Sequence, residues 1–295
     1  MKKIVLLIFL FINLNKVFAQ DSSLIKDIEE TTPITEKVTG AFKSTRVINA
    51  HSVEMLSRGN MDFRILHRFG FVSDGIKQLF GLDAAAFRMS FDFGITDNLT
   101  LGVGRSTFRK ELDAFVKTRI IQQTKGAKEI PFSLVAAAGY TIYTQEVLSG
   151  KNPSVADRSA YYIQLIAGRK FNQKFSLQLS PIFVHTKIPF VITDDRNIFA
   201  MGGGARMKVT KRTAITLDYH HPFGHFDENY TNPLSVGVDI ETGGHVFQLH
   251  FSNATGLNER AYITQTTGRF FKGDVRLGFN ISRMFKVGRK KKTVV

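Results

Sequence analysis

The sequence predicts an all-β fold, an antiparallel transmembrane β-barrel of about 12–14 strands with short periplasmic turns and longer outer loops. Three observations carry this expectation. Segments of roughly ten residues alternate apolar and polar side chains, most clearly where Phe87, Met89, Phe91, Phe93 and Ile95 interleave with Arg88, Ser90 and Asp92. A leader with the pattern of an export signal precedes them, and no later apolar run is long enough to span a membrane as a helix. Short and long connections also change places from one strand to the next, which gives the sheet two unlike ends.

Met1 to Ala19 reads as a signal peptide, with Lys2 and Lys3 before the apolar stretch Ile4 to Leu14 and a small residue, Ala19, ahead of cleavage at Gln20. That stretch is too short to cross about 30 Å of hydrocarbon at about 1.5 Å per residue. Residues 20–40 carry Asp21, Asp27, Glu29, Glu30 and Glu36 without sustained alternation, and are expected to form an acidic N-terminal arm, mobile or plug-like. The barrel domain is placed at residues 41–285 and a basic tail at 286–295.

Strand candidates run from Val47 to Leu56, Met61 to Phe69, Ala84 to Ile95, Leu99 to Phe108, Glu111 to Gln123, Ile130 to Thr144 and Ser159 to Phe171. They continue from Phe175 to Lys187, Asn197 to Val209, Thr213 to His221, Leu234 to Thr242, His245 to Ser252 and Gly273 to Phe285. These are thirteen segments, whereas a single-chain barrel has an even number, and Val38 to Arg46 is the only room for a further crossing. The connections at 96–98, 124–129, 172–174, 210–212 and 243–244 fall on one side and are short; those at 145–158, 188–196, 222–233 and 253–272 fall on the other and are long. In Gly70 to Asp83 the spacing of Ile76, Leu79 and Phe80 predicts a short helix, on the surface at the long-loop side in preference to folded inward as a plug. A soluble β-sandwich, a secreted binding protein, would also alternate, but its strands are usually shorter than these.

With no cysteine, disulfides and thiolate metal sites are excluded. The net charge of +15 in an exported chain points to anionic lipid headgroups and polysaccharide ahead of nucleic acid. The expected partners are therefore outer-membrane lipid and lipopolysaccharide, the barrel-assembly machinery and a small solute, at the cell outer membrane, with no cofactor. Lys290, Lys291 and Lys292 would lie in the periplasm.

Phe80 to Asp83, Gly94 to Asp97, Gly102 to Arg105, Gly168 to Phe171 and, above all, Asp239 to His250 resemble segments of a known family, as do Thr266 to Gly268 and Phe279 to Phe285. The chain is similar to the uncharacterised Bacteroidota β-barrel family designated domain of unknown function 5777 (DUF5777), over about Val38 to Phe285. The resemblance implies an outer-membrane barrel and supplies no catalytic residue.

The candidate lumen residues lie on the polar faces: Asp62, Arg64, Arg88, Asp92, Asp113, Lys117, Arg119, Asp218, His220, Asp239, Glu241 and Gln248. Opposite charges there would form a closed, hydrogen-bonded filling, and the same residues around water would line a narrow pore with charge-set selectivity. This gives a non-enzymatic barrel, pore or scaffold. A second reading is enzymatic. His250 and Ser252 are two apart on one strand, so imidazole and hydroxyl share a face and could form a nucleophile pair resembling that of outer-membrane lipid hydrolases. Against it, Thr264 stands where a carboxylate or amide would orient the histidine, and Phe247, Leu249 and Phe251 claim the oily face. No metal site is expected: His220 and His221 point to opposite faces, leaving only His225 and Asp227 in the following loop. Gly202, Gly203 and Gly204 read as a place where a strand bends or a bulky lumen side chain needs room.

Overall fold

The computed structural model describes residues 34–145, 153–242 and 245–287. The expected signal peptide, most of the expected acidic arm and Lys290 to Lys292 lie outside them. Among the described residues there are fourteen strands: β1 (Thr35–Lys37), β2 (Asn60–Phe71), β3 (Ala85–Thr96), β4 (Leu99–Ser106), β5 (Glu111–Ile121), β6 (Thr124–Gly126), β7 (Ser133–Tyr143), β8 (Ser159–Lys170), β9 (Phe175–Thr186), β10 (Asn197–Lys208), β11 (Thr213–Phe223), β12 (Leu234–Thr242), β13 (His245–Ser252) and β14 (Arg276–Lys286). Twelve of them form one closed antiparallel barrel, in which every strand pairs with its neighbours in sequence and β14 pairs back onto β2 to seal it. The remaining two, β1 and β6, make a small separate sheet.

The wall is inside out relative to a soluble protein. Along β3, Phe87, Met89 and Phe91 are exposed while Arg88, Ser90 and Asp92 are buried. The same alternation recurs on β8, where Tyr161, Ile163 and Leu165 face out, and on β11, where Ile215 and Leu217 do. Backbone polar groups in hydrocarbon must be satisfied within the protein, and a closed barrel does this with no free edge. A closed barrel with an apolar exterior overturns the β-sandwich alternative.

Two strand assignments are corrected. Val47 to Leu56 is not a crossing, and neither is Val38 to Arg46; together they run as irregular chain inside the barrel, with Phe42, Val47, Ile48, Ala50 and Val53 all buried. Removing one strand from thirteen, rather than adding one, restores an even count. The residues misread as a strand are covered on all sides by the wall, so their oily and polar positions follow no two-residue period. The expected helix at Gly70 to Asp83 is instead the end of β2 followed by 3₁₀ turns at Val72–Asp74 and Ile76–Gly81, with Ile76, Leu79 and Phe80 exposed.

A charge on the outward face tests this arrangement. Phe91→Lys is expected to destabilise the barrel by about 2–4 kcal/mol in a urea titration in lipid vesicles. The same change at Phe271, which is 92% exposed in the loop before β14, should be nearly silent.

Candidate functional site

The lumen is filled from both ends by the chain itself. From the short-turn end enters a hairpin-like segment in which Arg46 and His51 bridge and the Val47 N–H donates to the Ala50 carbonyl at 2.8 Å. From the opposite end the connection before β14 turns inward and forms α1 (Glu259–Thr264), capped by the Asn258 side chain, which accepts the Ala261 N–H at 2.9 Å. Asn is a favoured N-cap, which explains why so short a helix starts there.

The wall grips the hairpin through side chains rather than through a strand ladder. Asp218 Oδ2 accepts the backbone N–H groups of Ile48, Asn49 and Ala50 at 3.3, 2.7 and 2.9 Å, a nest of donors around one carboxylate oxygen. Gln248 and Asn280 donate to the carbonyls of Val47 and Ile48 at 2.6 and 3.0 Å, and Gln178 donates to that of His51 at 2.7 Å. Lys117 Nζ donates to the carbonyls of Thr45 and Glu54 at 3.2 and 2.7 Å. Arg64 reaches Ser44 and Thr45 at 2.8 and 2.7 Å while pairing with Asp62 at 2.5 Å. Asn49 also accepts from Arg68, so the tip links the arginine to Asp218.

The two fillings meet at Glu259. Its Oε1 lies 2.7 Å from Arg46 Nη1 and 3.4 Å from His51 Nε2, and all three residues are at most 2% exposed. Arg46 donates as well to the Asn49 carbonyl at 2.5 Å, and the His51 ring shares a 3.0 Å hydrogen bond with the Tyr162 hydroxyl. Burial, and then the neighbouring Arg46 guanidinium, hold the His51 imidazole well below its ordinary pKa and therefore neutral. Arg46 is thus the cation that balances Glu259. On the far side of α1, Glu111 accepts from both Asn258 and Arg260.

The other sequence candidates take definite places around these fillings. Arg88 on β3 forms a two-point pair with Asp113 on β5 at 2.8 and 2.5 Å, reaching over Gly104 of the intervening β4. Arg206 lies 3.0 Å from Glu241 and 3.7 Å from Asp239, and Lys43, just before the hairpin, reaches Glu241 at 2.9 Å. Asp92 is buried, His220 Nδ1 lies 3.4 Å from Asp218, and Arg119 is half-buried. Gly202 and Gly204 leave the space occupied by His220 and by the hairpin's Val47: a Cβ there would come within 2.5 Å of His220 Nε2 or 2.9 Å of Val47 Cγ2.

The candidate nucleophile pair is not assembled. Ser252 Oγ accepts from Ser235 at 2.7 Å and from the Ala254 N–H at 3.2 Å, and no hydrogen bond joins it to His250, whose ring nitrogens have no protein partner among the described residues. Thr264 donates to the Arg260 carbonyl and stays at the end of α1. His221 faces outward and meets Asn232 at 2.9 Å, away from His220.

Sequence reasoning missed Arg46, His51, Asn258, Glu259, Arg260 and Glu111. The break in alternation at Val47 and Ile48 and the Asn-Glu start of α1 were the available signals.

Removing one partner of the central pair strands a buried charge. Arg46→Ala is expected to cost about 3–5 kcal/mol, read as faster protease cleavage of the hairpin in a barrel that still resists unfolding in unboiled gels. Arg46→Met with Glu259→Leu should recover most of that loss, and equal damage in the single and double variants would refute the pairing.

The solved structures similar to this chain include the NanC porin, at 9% identity and a TM-score of 0.49, covering 77% of this chain and 99% of that one. The KdgM porin is similar at 11% identity and a TM-score of 0.46, with the same coverage. No curated protein matches. The model of the membrane-bound β-barrel domain family DUF5777 matches residues 42–285, a span that holds the inward hairpin, α1 and every strand of the barrel, and the chain belongs to that family.

Proposed function

We propose that this protein is a non-enzymatic outer-membrane barrel that works as a conditional pore, shut at rest by its own chain and conducting when the hairpin or α1 leaves the lumen. The observation that carries this reading is how the filling is held. The hairpin belongs to no strand ladder of the wall; besides the packing of Phe42, Val47 and Val53 with Val135 and Ile166, it is held by side-chain hydrogen bonds and ion pairs that water can replace, so it can depart without opening the barrel. The short-turn end, from which the hairpin enters, is assigned to the periplasm, and the Bacteroidota origin implied by the resemblance would supply the outer membrane. In the open state Arg64, Arg88 and Lys117, set against Asp92, Asp218 and Asp239, would bias which solutes pass.

Planar bilayer recording tests the proposal. Wild type should be electrically quiet, whereas Asp218→Ala combined with Arg46→Ala, which removes two anchors of the hairpin, should give discrete conductance steps. Adding Val47→Cys and Gly204→Cys should make those steps vanish under oxidation and return on reduction, because Val47 packs over Gly204 in a chain that otherwise has no cysteine. A weakened variant that stays silent when reduced leaves a closed scaffold as the answer.

A further inference from the structure

At the long-loop rim, a cleft of about 380 Å³ opens between the ends of β2 and β3 and the turn that precedes β5. Its charged lining is cationic throughout: Arg109, Lys110 and Arg276, with no carboxylate among its residues and no ion pair to any of the three among the described residues. Arg46, Arg64, Arg88, Arg206 and Arg260 each meet a carboxylate, and the buried Arg68, which does not, is taken up by Asn49, Asn280 and the His67 carbonyl; the three cations of this cleft stand together without an acid. The Nε atoms of Arg109 and Arg276 are buried and have no hydrogen-bond partner. Both guanidinium groups are braced on aromatic rings, Arg109 at 3.5 Å over Phe190 and Arg276 at 3.6 Å over Phe71, which fixes them without neutralising them.

The backbone adds a second observation. Arg109 and Lys110 are consecutive non-glycine residues with φ of 52° and 49°, a left-handed conformation that side chains rarely adopt and that clusters at ligand clamps. The floor of the cleft is apolar, formed by Phe69, Phe108 and Ala84 to Ala86. Phe69 and Ala85 pair across β2 and β3, and the outward face of those strands continues through the exposed Phe87 into the apolar exterior. An anion held by the three cations could therefore trail a hydrocarbon chain down the outer wall.

We propose that this cleft is a binding site for an anionic lipid, its phosphate held by Arg109, Lys110 and Arg276 and an acyl chain lying along Phe69, Ala85 and Phe87. The phosphate takes the unused guanidinium donors, and the wall supplies the contact that a soluble anion lacks. The site is independent of the plugged lumen and stands or falls separately from the pore.

Native mass spectrometry of the full chain, released from neutral detergent micelles doped with phosphatidic acid and phosphatidylcholine, tests this. Wild type should retain phosphatidic acid preferentially, and excess inorganic phosphate should not displace it. Arg109→Gln with Arg276→Gln should cut retention on the order of thirtyfold, from about 1 kcal/mol per cation. Lys110→Glu, an exposed change that leaves the barrel untouched, should also lower it, and Lys174→Gln at the opposite rim should not. Unchanged retention in Lys110→Glu and the double variant, or displacement by inorganic phosphate, would overturn the lipid assignment.

Discussion

Charge carried into a closed wall has to be answered inside that wall, and in this protein the answer converges on Glu259. A carboxylate at that depth costs several kcal/mol unless a cation and hydrogen-bond donors surround it. Arg46 supplies the cation from a segment more than two hundred residues away, and the contact joins the two fillings into one body. The same requirement runs around the wall, where Arg64 meets Asp62, Arg88 meets Asp113, and Arg206 meets Asp239 and Glu241. The lumen is thus a hydrogen-bonded polar interior with apolar clusters set into it, where Tyr262 and Ile263 pack near Ile182, Val184 and Ile198, where the hairpin's Phe42, Val47 and Val53 pack with Val135 and Ile166, and where Leu257 joins Leu66 and Ala86.

Wall and filling are held by different forces. Main-chain ladders and an apolar exterior stabilise the barrel, and neither depends on what occupies the lumen. The filling combines apolar packing with directional contacts, of which the three N–H groups on Asp218 and the Arg46–Glu259 pair are the most concentrated. The two parts can therefore differ in stability, the wall persisting through motions that release the hairpin.

The wall was legible because a membrane barrel writes itself in period two: Phe87 to Ile95 and Ile215 to Leu217 show their faces without any structure. The filling was not, since a segment enclosed on every side has no face to alternate, and Val47 to Leu56 mixes valine, isoleucine, asparagine and histidine at adjacent positions. Six residues of α1 are likewise too few to display a helical period. Sequence placed Arg88, Asp113 and Asp218 on polar faces, but their partners depend on register and on what crosses the lumen. Asp218, read as a lumen charge, is a receptor for three backbone amides.

The position of the two fillings along the chain governs how the molecule must be assembled. The hairpin immediately precedes β2, the inward loop with α1 immediately precedes β14, and β2 and β14 are the two strands whose pairing closes the circle. Each internal element is thus tethered to one lip of the seam. Once the seam is zipped, neither tether can pass through the wall, so the contents must be in place, or must enter through a mouth, by the time first and last strands meet. Closure is then also an act of packing, and the slowest contact in sequence terms, between the two ends of the barrel, is the one that fixes what the lumen holds.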